Sequence, residues 1–172
     1  MKSLNYKKLS FFFILMFIFS LINSCTKDDI CPDGEATTPN LIITFNDIAN
    51  PVNLKKVNLL SVLTNSIDST EVVKFANTDS ILVPLNTNSD TTSYLFKRSV
   101  ITGQDTVNNI DKIMFIYSRA NDYVNRACGF KTEFENLNAA LELEGNENWI
   151  KGENVIRQTV NDENSAHVTV LH

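Results

Sequence analysis

The clearest period in this sequence lies in the stretch Cys128-Gly129-Phe130-Lys131-Thr132-Glu133-Phe134-Glu135. Cysteine, phenylalanine and threonine alternate with glycine, lysine and glutamate. Because successive side chains of a β-strand point to opposite faces, this alternation predicts a strand with one buried and one solvated face. We therefore expect Cys128, Phe130, Thr132 and Phe134 to face a core, together with Arg126, which shares their parity.

Short apolar runs separated by Asn, Asp, Ser and Gly extend outward from this stretch in both directions. They predict strands at 41–45, 57–63, 71–75, 80–85, 93–101, 108–117, 151–160 and 166–171. The run 108–117 is continuous enough to predict a central strand covered on both faces. Turn formers at 77–79 and at 161–165 predict a hairpin at each place. Residues 137–144 alternate like a strand but are rich in Leu, Ala and Glu, so a short helix is an open alternative.

About eight short strands at regular spacing predict an all-β fold. We expect an antiparallel β-sandwich of immunoglobulin-like architecture, formed by residues 40–172. Residues 25–39 contain turn formers and no apolar period, which indicates a tether or linker.

The N-terminal residues 1–24 have the layout of a secretory signal peptide. Lys2, Lys7 and Lys8 precede an apolar run at 11–22, which is well short of the roughly 18 to 20 residues that span a bilayer. The junction Leu21-Ile22-Asn23-Ser24-Cys25 resembles the lipobox of bacterial lipoproteins. That resemblance implies cleavage before Cys25 and acylation of the cysteine, with palmitate-like chains that anchor the protein to a membrane. Two or three such chains give an effectively permanent anchor.

Charge and cysteine content restrict the function classes. Without the leader the chain has 12 basic and 20 acidic residues, a net charge of −8, which argues against a nucleic-acid partner. If Cys25 carries lipid, Cys31 and Cys128 remain, and an even pair in an oxidising compartment predicts a disulfide; two unpaired buried thiols are the alternative.

Residues suited to catalysis or to a cofactor are scarce. His167 and the terminal His172 are the two histidines, Asp105, Asp162 and Glu163 lack the dense spacing of a cation loop, and no glycine-rich phosphate loop occurs. We therefore predict no cofactor, no metal site and no catalytic residue. Trp149 lies among amides and is a possible ligand contact by stacking on a sugar ring, although a core or rim position is the commoner role of such a residue.

Three segments resemble one known family. They are 25–32, 123–130 with its Arg-Ala-Cys-Gly sequence, and 161–168. All three are similar to an uncharacterised family of small Bacteroidota lipoproteins, domain of unknown function 6452, over nearly the whole mature chain. The resemblance implies no activity.

The sequence thus predicts a lipid-anchored lipoprotein of the cell envelope that acts as a noncatalytic binding or assembly module, with an envelope protein or glycan as its partner. The alternative is an envelope hydrolase acting on glycan or peptide through carboxylates or His167. Lys27, Asp28 and Asp29 resemble the export signal that places some Bacteroidota lipoproteins on the outer membrane surface. A simple acidic spacer facing the periplasm is the alternative for these residues.

Overall fold

The structure, a computed structural model, describes residues 30–34 and 37–172. Within it the chain divides into two compact units. Of the described residues, one unit comprises 30–34 together with 124–129, and the other comprises 37–123 and 130–172. The predictions for residues 1–29 lie outside the described residues.

Ten β-strands and no helix make up the described part of the chain. The strands are β1 (Leu41–Asp47), β2 (Asn50–Leu54), β3 (Val57–Thr64), β4 (Glu71–Thr78), β5 (Ser80–Val83), β6 (Thr91–Thr102), β7 (Asp105–Asn125), β8 (Gly129–Leu141), β9 (Gly152–Val155) and β10 (Val168–Leu171).

These strands form two sheets that are mostly antiparallel. One has the order β2-β1-β10-β9, with β5 also paired to β1, and the other has the order β4-β3-β6-β7-β8. The predicted all-β sandwich is confirmed. One pairing is parallel, between β1 and β10, where Ile43 lies opposite Val168.

The core lies between the two sheets. Phe45 of β1 meets Phe96 of β6 edge to face, with ring centroids 6.5 Å apart. Both side chains are fully buried, and a buried side chain of this size contributes roughly 1.5 to 3 kcal/mol. Other fully buried members are Leu41, Ile43, Leu60, Val62, Ile113, Phe115, Phe134, Val160, Val168 and Val170.

The predicted hairpin at Asn77-Thr78-Asp79 is wrong. β4 pairs with β3 in one sheet, whereas β5 pairs with β1 in the other, so the chain passes between the sheets at this turn. The backbone N–H of Phe45 donates to the Asp79 carbonyl at 2.8 Å and holds the crossing in place. Turn formers mark a change of direction, but they do not specify which strands pair.

The prediction that 108–117 is covered on both faces is also wrong. In β7 the side chains of Asp111, Ile113, Phe115 and Tyr117 are buried, and those between them are exposed or half-buried. The strand therefore has one core face, and its other face is solvated although it carries Ile and Met.

The C-terminal third follows its prediction with shorter strands. β8 continues to Leu141, so the strand alternative is confirmed for 137–141 and the helix is excluded there. β9 and β10 pair antiparallel, which confirms the C-terminal hairpin, but β9 ends at Val155. Beyond it the chain pairs with β8, where Val160 and Phe134 exchange two backbone hydrogen bonds of 2.7 and 3.1 Å.

Candidate functional site

The predicted lipidation and export residues lie outside the described part of the chain. They are Cys25, Lys27, Asp28 and Asp29. Within residues 30–34 and 37–172 no helix is long and apolar enough to cross a membrane.

The predicted disulfide between Cys31 and Cys128 is confirmed. The two Cα atoms are 4.7 Å apart, and the bridge encloses a sequence separation of 97 residues. The side-chain oxygen of Asn125 accepts hydrogen bonds from the backbone N–H groups of Ala127 and Cys128, at 2.9 and 2.7 Å. This Asx turn positions Cys128 for the bridge.

The prediction that Cys128, Phe130 and Arg126 face the core is wrong. Cys128 is half-buried in the turn, Arg126 is exposed, and the Phe130 side chain is 69 % exposed. Thr132 and Phe134 are buried as predicted. The alternation therefore gives the parity of the strand correctly, but near its first residues no second layer covers the core-parity side.

Trp149 packs mainly against the core. Its side chain is 5 % exposed and stacks on Phe45 with ring centroids 6.4 Å apart. The indole N–H donates to the Phe96 carbonyl at 3.0 Å. These contacts give the residue a structural role, and its role as a ligand contact stays a prediction.

His167 is fully buried and serves as a structural clamp. Its Nδ1 accepts a hydrogen bond from the Ile42 backbone N–H at 3.1 Å, and its own backbone N–H donates to the Ile42 carbonyl at 2.9 Å. An accepting Nδ1 places the proton on Nε2, which has no hydrogen-bond partner. Burial lowers the pKa of this imidazole. A substrate has no route to this side chain in the folded state.

The acidic residues weighed for cation binding have other partners. Asp162 accepts from the Arg157 guanidinium at 2.8 Å, and this hydrogen bond lowers the Asp162 pKa to about 2. Glu163 accepts from the backbone and side-chain N–H groups of Asn40 at 2.7 and 2.9 Å. No group of three His, Cys, Asp or Glu side chains in the described residues is placed to hold a metal ion.

One buried carboxylate was not predicted. Asp111 is fully buried, and one of its oxygens accepts from the Ile150 backbone N–H at 2.7 Å, while the other has no hydrogen bond of good geometry to the described residues. Burial raises the pKa of this carboxyl. Like the His167 side chain, the Asp111 carboxylate is buried inside the sandwich. It therefore holds the backbone at Ile150 in place and does not face a ligand.

One concave surface that gathers several basic side chains is a groove with a volume of about 440 Å³. We call it the basic groove. Its four basic side chains come from the β2–β3 connection, from β6 and from the residue after β10: Lys55, Lys56, Arg98 and His172. The described residues that line the groove include no Asp or Glu. The volume falls within the range of roughly 300 to 1,000 Å³ that is usual for small-molecule sites.

Two of these cations are free to meet a ligand. Lys55 is partly neutralised by Asp47 at 3.3 Å and also donates to the His172 backbone oxygen at 2.8 Å. Lys56 and Arg98 have no ion pair within the described residues. Arg98 also lines a neighbouring cavity of about 180 Å³, beside Trp149 and Asn109. The guanidinium therefore stands between two concave surfaces.

The pKa of His172 depends on the charges around the basic groove. Its Nε2 lies 3.1 Å from the Lys55 carbonyl, which can only accept, so the neutral ring carries its proton on Nε2. Burial lowers the His172 pKa, and the nearby charges of Lys55 and Arg98 lower it further. The hydrogen bond to the Lys55 carbonyl and the Asp47 charge act in the opposite direction, and a bound anion would likewise raise the His172 pKa.

Backbone strain lies in the wall of the groove. Leu59 has φ +49°, a left-handed conformation that costs a non-glycine residue roughly 1 to 3 kcal/mol. It occupies a bulge in the β3–β4 ladder, where the Leu59 N–H donates to the Asn77 side-chain oxygen at 2.8 Å. The bulge sets the direction of the chain just after Lys56.

Sequence reasoning missed the basic groove because its members lie far apart in the chain. Arg98 is an ordinary alternating residue of a predicted strand, and the Lys55-Lys56 pair is a common solvated sequence. The one signal in the sequence that pointed to the groove was the occurrence of Lys55, Lys56 and Arg98 in a chain that is otherwise acidic.

Comparison with known proteins yields one match. Searches of the curated proteins and of the solved structures each found none. The family model described as "Family of unknown function (DUF6452)" matches residues 59–172, about two-thirds of the chain. The match covers β3 through β10 and does not include Cys25, Cys31 or the tether, so it extends over less of the chain than the resemblance implied. The chain belongs to the DUF6452 family.

Proposed function

We propose that this protein is a lipid-anchored lipoprotein of the cell envelope and acts as a noncatalytic binding module whose basic groove receives an anionic group. The observation that carries the proposal is the collection of Lys55, Lys56, Arg98 and His172 around one groove with no acid in its described lining. In a mature chain of net charge −8, this local positive field attracts anions that the rest of the surface repels.

The chemistry of Arg98 favours a carboxylate or a phosphate as the bound group. A guanidinium presents planar, forked donors that fit such oxygens in a bidentate manner, and no carboxylate of the described residues pairs with Arg98. An acidic envelope glycan or an acidic peptide supplies this chemistry.

A hydrolase is less well supported by the geometry. Its histidine candidate, His167, is sealed in the core, and the groove brings cations together where paired carboxylates would be needed. The hydroxyl in the groove lining, that of Ser99, donates to the Asn108 side-chain oxygen at 2.7 Å, and the His172 Nε2 faces the Lys55 carbonyl.

Binding is tested by titrating the protein with glucuronate while recording backbone amide NMR shifts, with glucose as the uncharged counterpart. We expect shifts at groove residues with glucuronate and none with glucose. Arg98→Gln should weaken the interaction about tenfold or more, because a hydrogen bond to a charged group contributes roughly 1.5 to 3 kcal/mol. The matched control is Arg119→Gln, since Arg119 is held by Asp90 at 2.7 Å outside the groove.

A second readout comes from His172. Glucuronate should raise its imidazole pKa in an NMR pH titration, because a nearby negative charge favours the protonated ring. Shifts confined to other surfaces, or equal binding by Arg98→Gln and wild type, would overturn the assignment of the groove.

The anchor is tested separately in cells with a fatty-acid analogue. We expect Cys25→Ser to abolish label incorporation and membrane fractionation.

The predicted export signal is tested by protease treatment of intact cells. The protease should remove the domain of the wild type, and changing Lys27, Asp28 and Asp29 to alanine should protect it. Equal protection of both proteins would leave the tether as a periplasmic spacer.

A further inference from the structure

Two aromatic side chains are exposed beside the turn that joins β7 to β8. Tyr123 is 56 % exposed and Phe130 is 69 % exposed, and their rings meet edge to face with centroids 5.3 Å apart. A cross-strand aromatic pair helps to hold a hairpin together. That role does not require both rings to remain in water, where each keeps a large apolar surface unburied.

The covalent structure limits how far this turn can lie from the proposed lipid. Cys25 precedes Cys31 by six residues, which span at most about 22 Å when fully extended. The disulfide adds a Cα–Cα distance of 4.7 Å to Cys128, which is two residues from Phe130. The turn is thus restricted to within about 26 Å of the acylated residue.

This distance is short compared with the strand that ends at the turn. β7 has 21 residues, and at about 3.3 Å per residue it extends for up to roughly 65 Å. We call the covalent connection from Cys25 through Cys31 to Cys128 the leash. A leash of about 26 Å at one end of such a strand favours orientations in which that end is nearest the membrane.

We propose that Tyr123 and Phe130 contact the membrane interface when the protein is anchored through Cys25. The inference rests on the anchor in the proposed function. Tyrosine and phenylalanine suit this position because an aromatic body enters the headgroup region while the tyrosine hydroxyl stays hydrated. The bilayer interface is the occupant that the short leash keeps within reach of this surface.

The same geometry places the basic groove far from the lipid anchor. Arg98 pairs with Asn109 of β7, which precedes Tyr123 by 14 residues, or up to about 45 Å along the strand. With the aromatic pair at the membrane, the groove is presented to the solution at the opposite end of β7.

The test uses the full-length lipoprotein purified from native membranes and reconstituted into phosphatidylcholine liposomes brominated near the top of the acyl chains. Bromine quenches only tryptophans that approach the bilayer. Trp149 of the wild type is buried and provides the unquenched background. We expect Phe130→Trp to lose emission in brominated liposomes relative to unbrominated ones.

The matched control is Phe75→Trp, the same substitution at an exposed phenylalanine of β4. Phe75 lies beside Lys97, which pairs with Ile110 of β7, 13 residues before Tyr123. We expect no quenching there. Equal quenching at both positions, or none at position 130, would overturn the proposal.

Mass spectrometry of the N-terminal peptide from the same preparation separates the two hypotheses. An unacylated Cys25 contradicts the proposed anchor. An acylated Cys25 without quenching of Phe130→Trp contradicts only the membrane contact of the aromatic pair.

A disulfide variant tests the leash itself. Without the bridge, the first described residue held by β8 is Thr38, whose hydroxyl accepts from the Thr132 N–H at 2.9 Å. The free leash then grows from 6 to 13 residues, or up to about 47 Å. Cys31→Ser with Cys128→Ser should therefore reduce the quenching at position 130, and unchanged quenching would show that the bridge does not orient the protein.

Discussion

The two ends of β7 are held in different ways. Near the groove, β7 lies beside β6, whose Phe96 packs in the core with Phe45 and Trp149, so that end is fixed by buried aromatic surface. At the β7–β8 turn the aromatic residues are exposed, and the nearest fixed point is the covalent bridge at Cys128. The comparison teaches that one strand can be fixed near one end by buried aromatic packing and near the other by a disulfide.

The largest expected effect comes from opening the bridge. A closed loop of nearly 100 residues restricts the unfolded chain, which stabilises the protein by at most about 4 to 5 kcal/mol. Cys31→Ser with Cys128→Ser should lower the free energy of unfolding in urea by up to that amount. Two free thiols in the nonreduced wild type, found by alkylation and mass spectrometry, would contradict the prediction.

The packed end should respond nearly as strongly to the loss of its largest side chain. Trp149→Ala removes a buried ring and the hydrogen bond to the Phe96 carbonyl, and should cost about 3 to 5 kcal/mol in chemical denaturation. Trp149→Phe keeps the ring stacking on Phe45 and should lose clearly less. A loss below about 1 kcal/mol for the alanine variant would show that this end is not held by its aromatic core.

The same type of truncation at the other end should matter little for folding. Phe130→Ala loses one edge-to-face contact with Tyr123, worth about 0.5 to 1.5 kcal/mol, and no core packing. Urea unfolding of the detergent-solubilised protein measures this without a membrane. A loss as large as that of Trp149→Ala would mean that Phe130 is buried in solution.

The smallest expected effect is a pH dependence from the two histidines. Burial lowers the pKa of both His167 and His172 in the folded state, so unfolding takes up protons once the pH falls below about 6.5. Their stabilisation is complete above that pH and is lost as the pH falls through the folded-state pKa. His167→Asn retains an acceptor for the Ile42 N–H but does not titrate there.

Stability curves between pH 7.5 and pH 5 compare His167→Asn with His172→Asn. We expect the first variant to flatten the acid-side decline more, because His167 is sealed whereas His172 lies at the groove. An equal slope in wild type and in His167→Asn would remove His167 from the acid response.

The sequence predicted much of the strand content and little of the pairing. The parity of Thr132 and Phe134 was readable because it depends only on local alternation. The change of parity before Leu137 was also readable, because Leu137, Ala139 and Leu141 alternate with their neighbours, but the left-handed φ of +55° at Asn136 was not. The Asn77–Asp79 turn failed because pairing is decided by residues elsewhere in the chain.

The candidate site shows the same limit. The disulfide was predictable because two cysteines remain once Cys25 is assigned to the predicted lipid, and two cysteines allow one bridge. The basic groove was not, because Lys55, Arg98 and His172 come together only through the register of β3, β6 and β10. Sequence alternation also does not show how far the facing sheet extends. For this reason Phe130 was wrongly predicted to face the core.

The parallel contact between β1 and β10 has a consequence for biogenesis. β10, residues 168–171, lies between β1 and β9, so the first strand of this sheet lacks its neighbour until the last one has emerged. A nascent chain that has not yet reached β10 leaves this edge of β1 unpaired. Because the contact joins strands from the two ends of the described domain, we expect it to form late in folding.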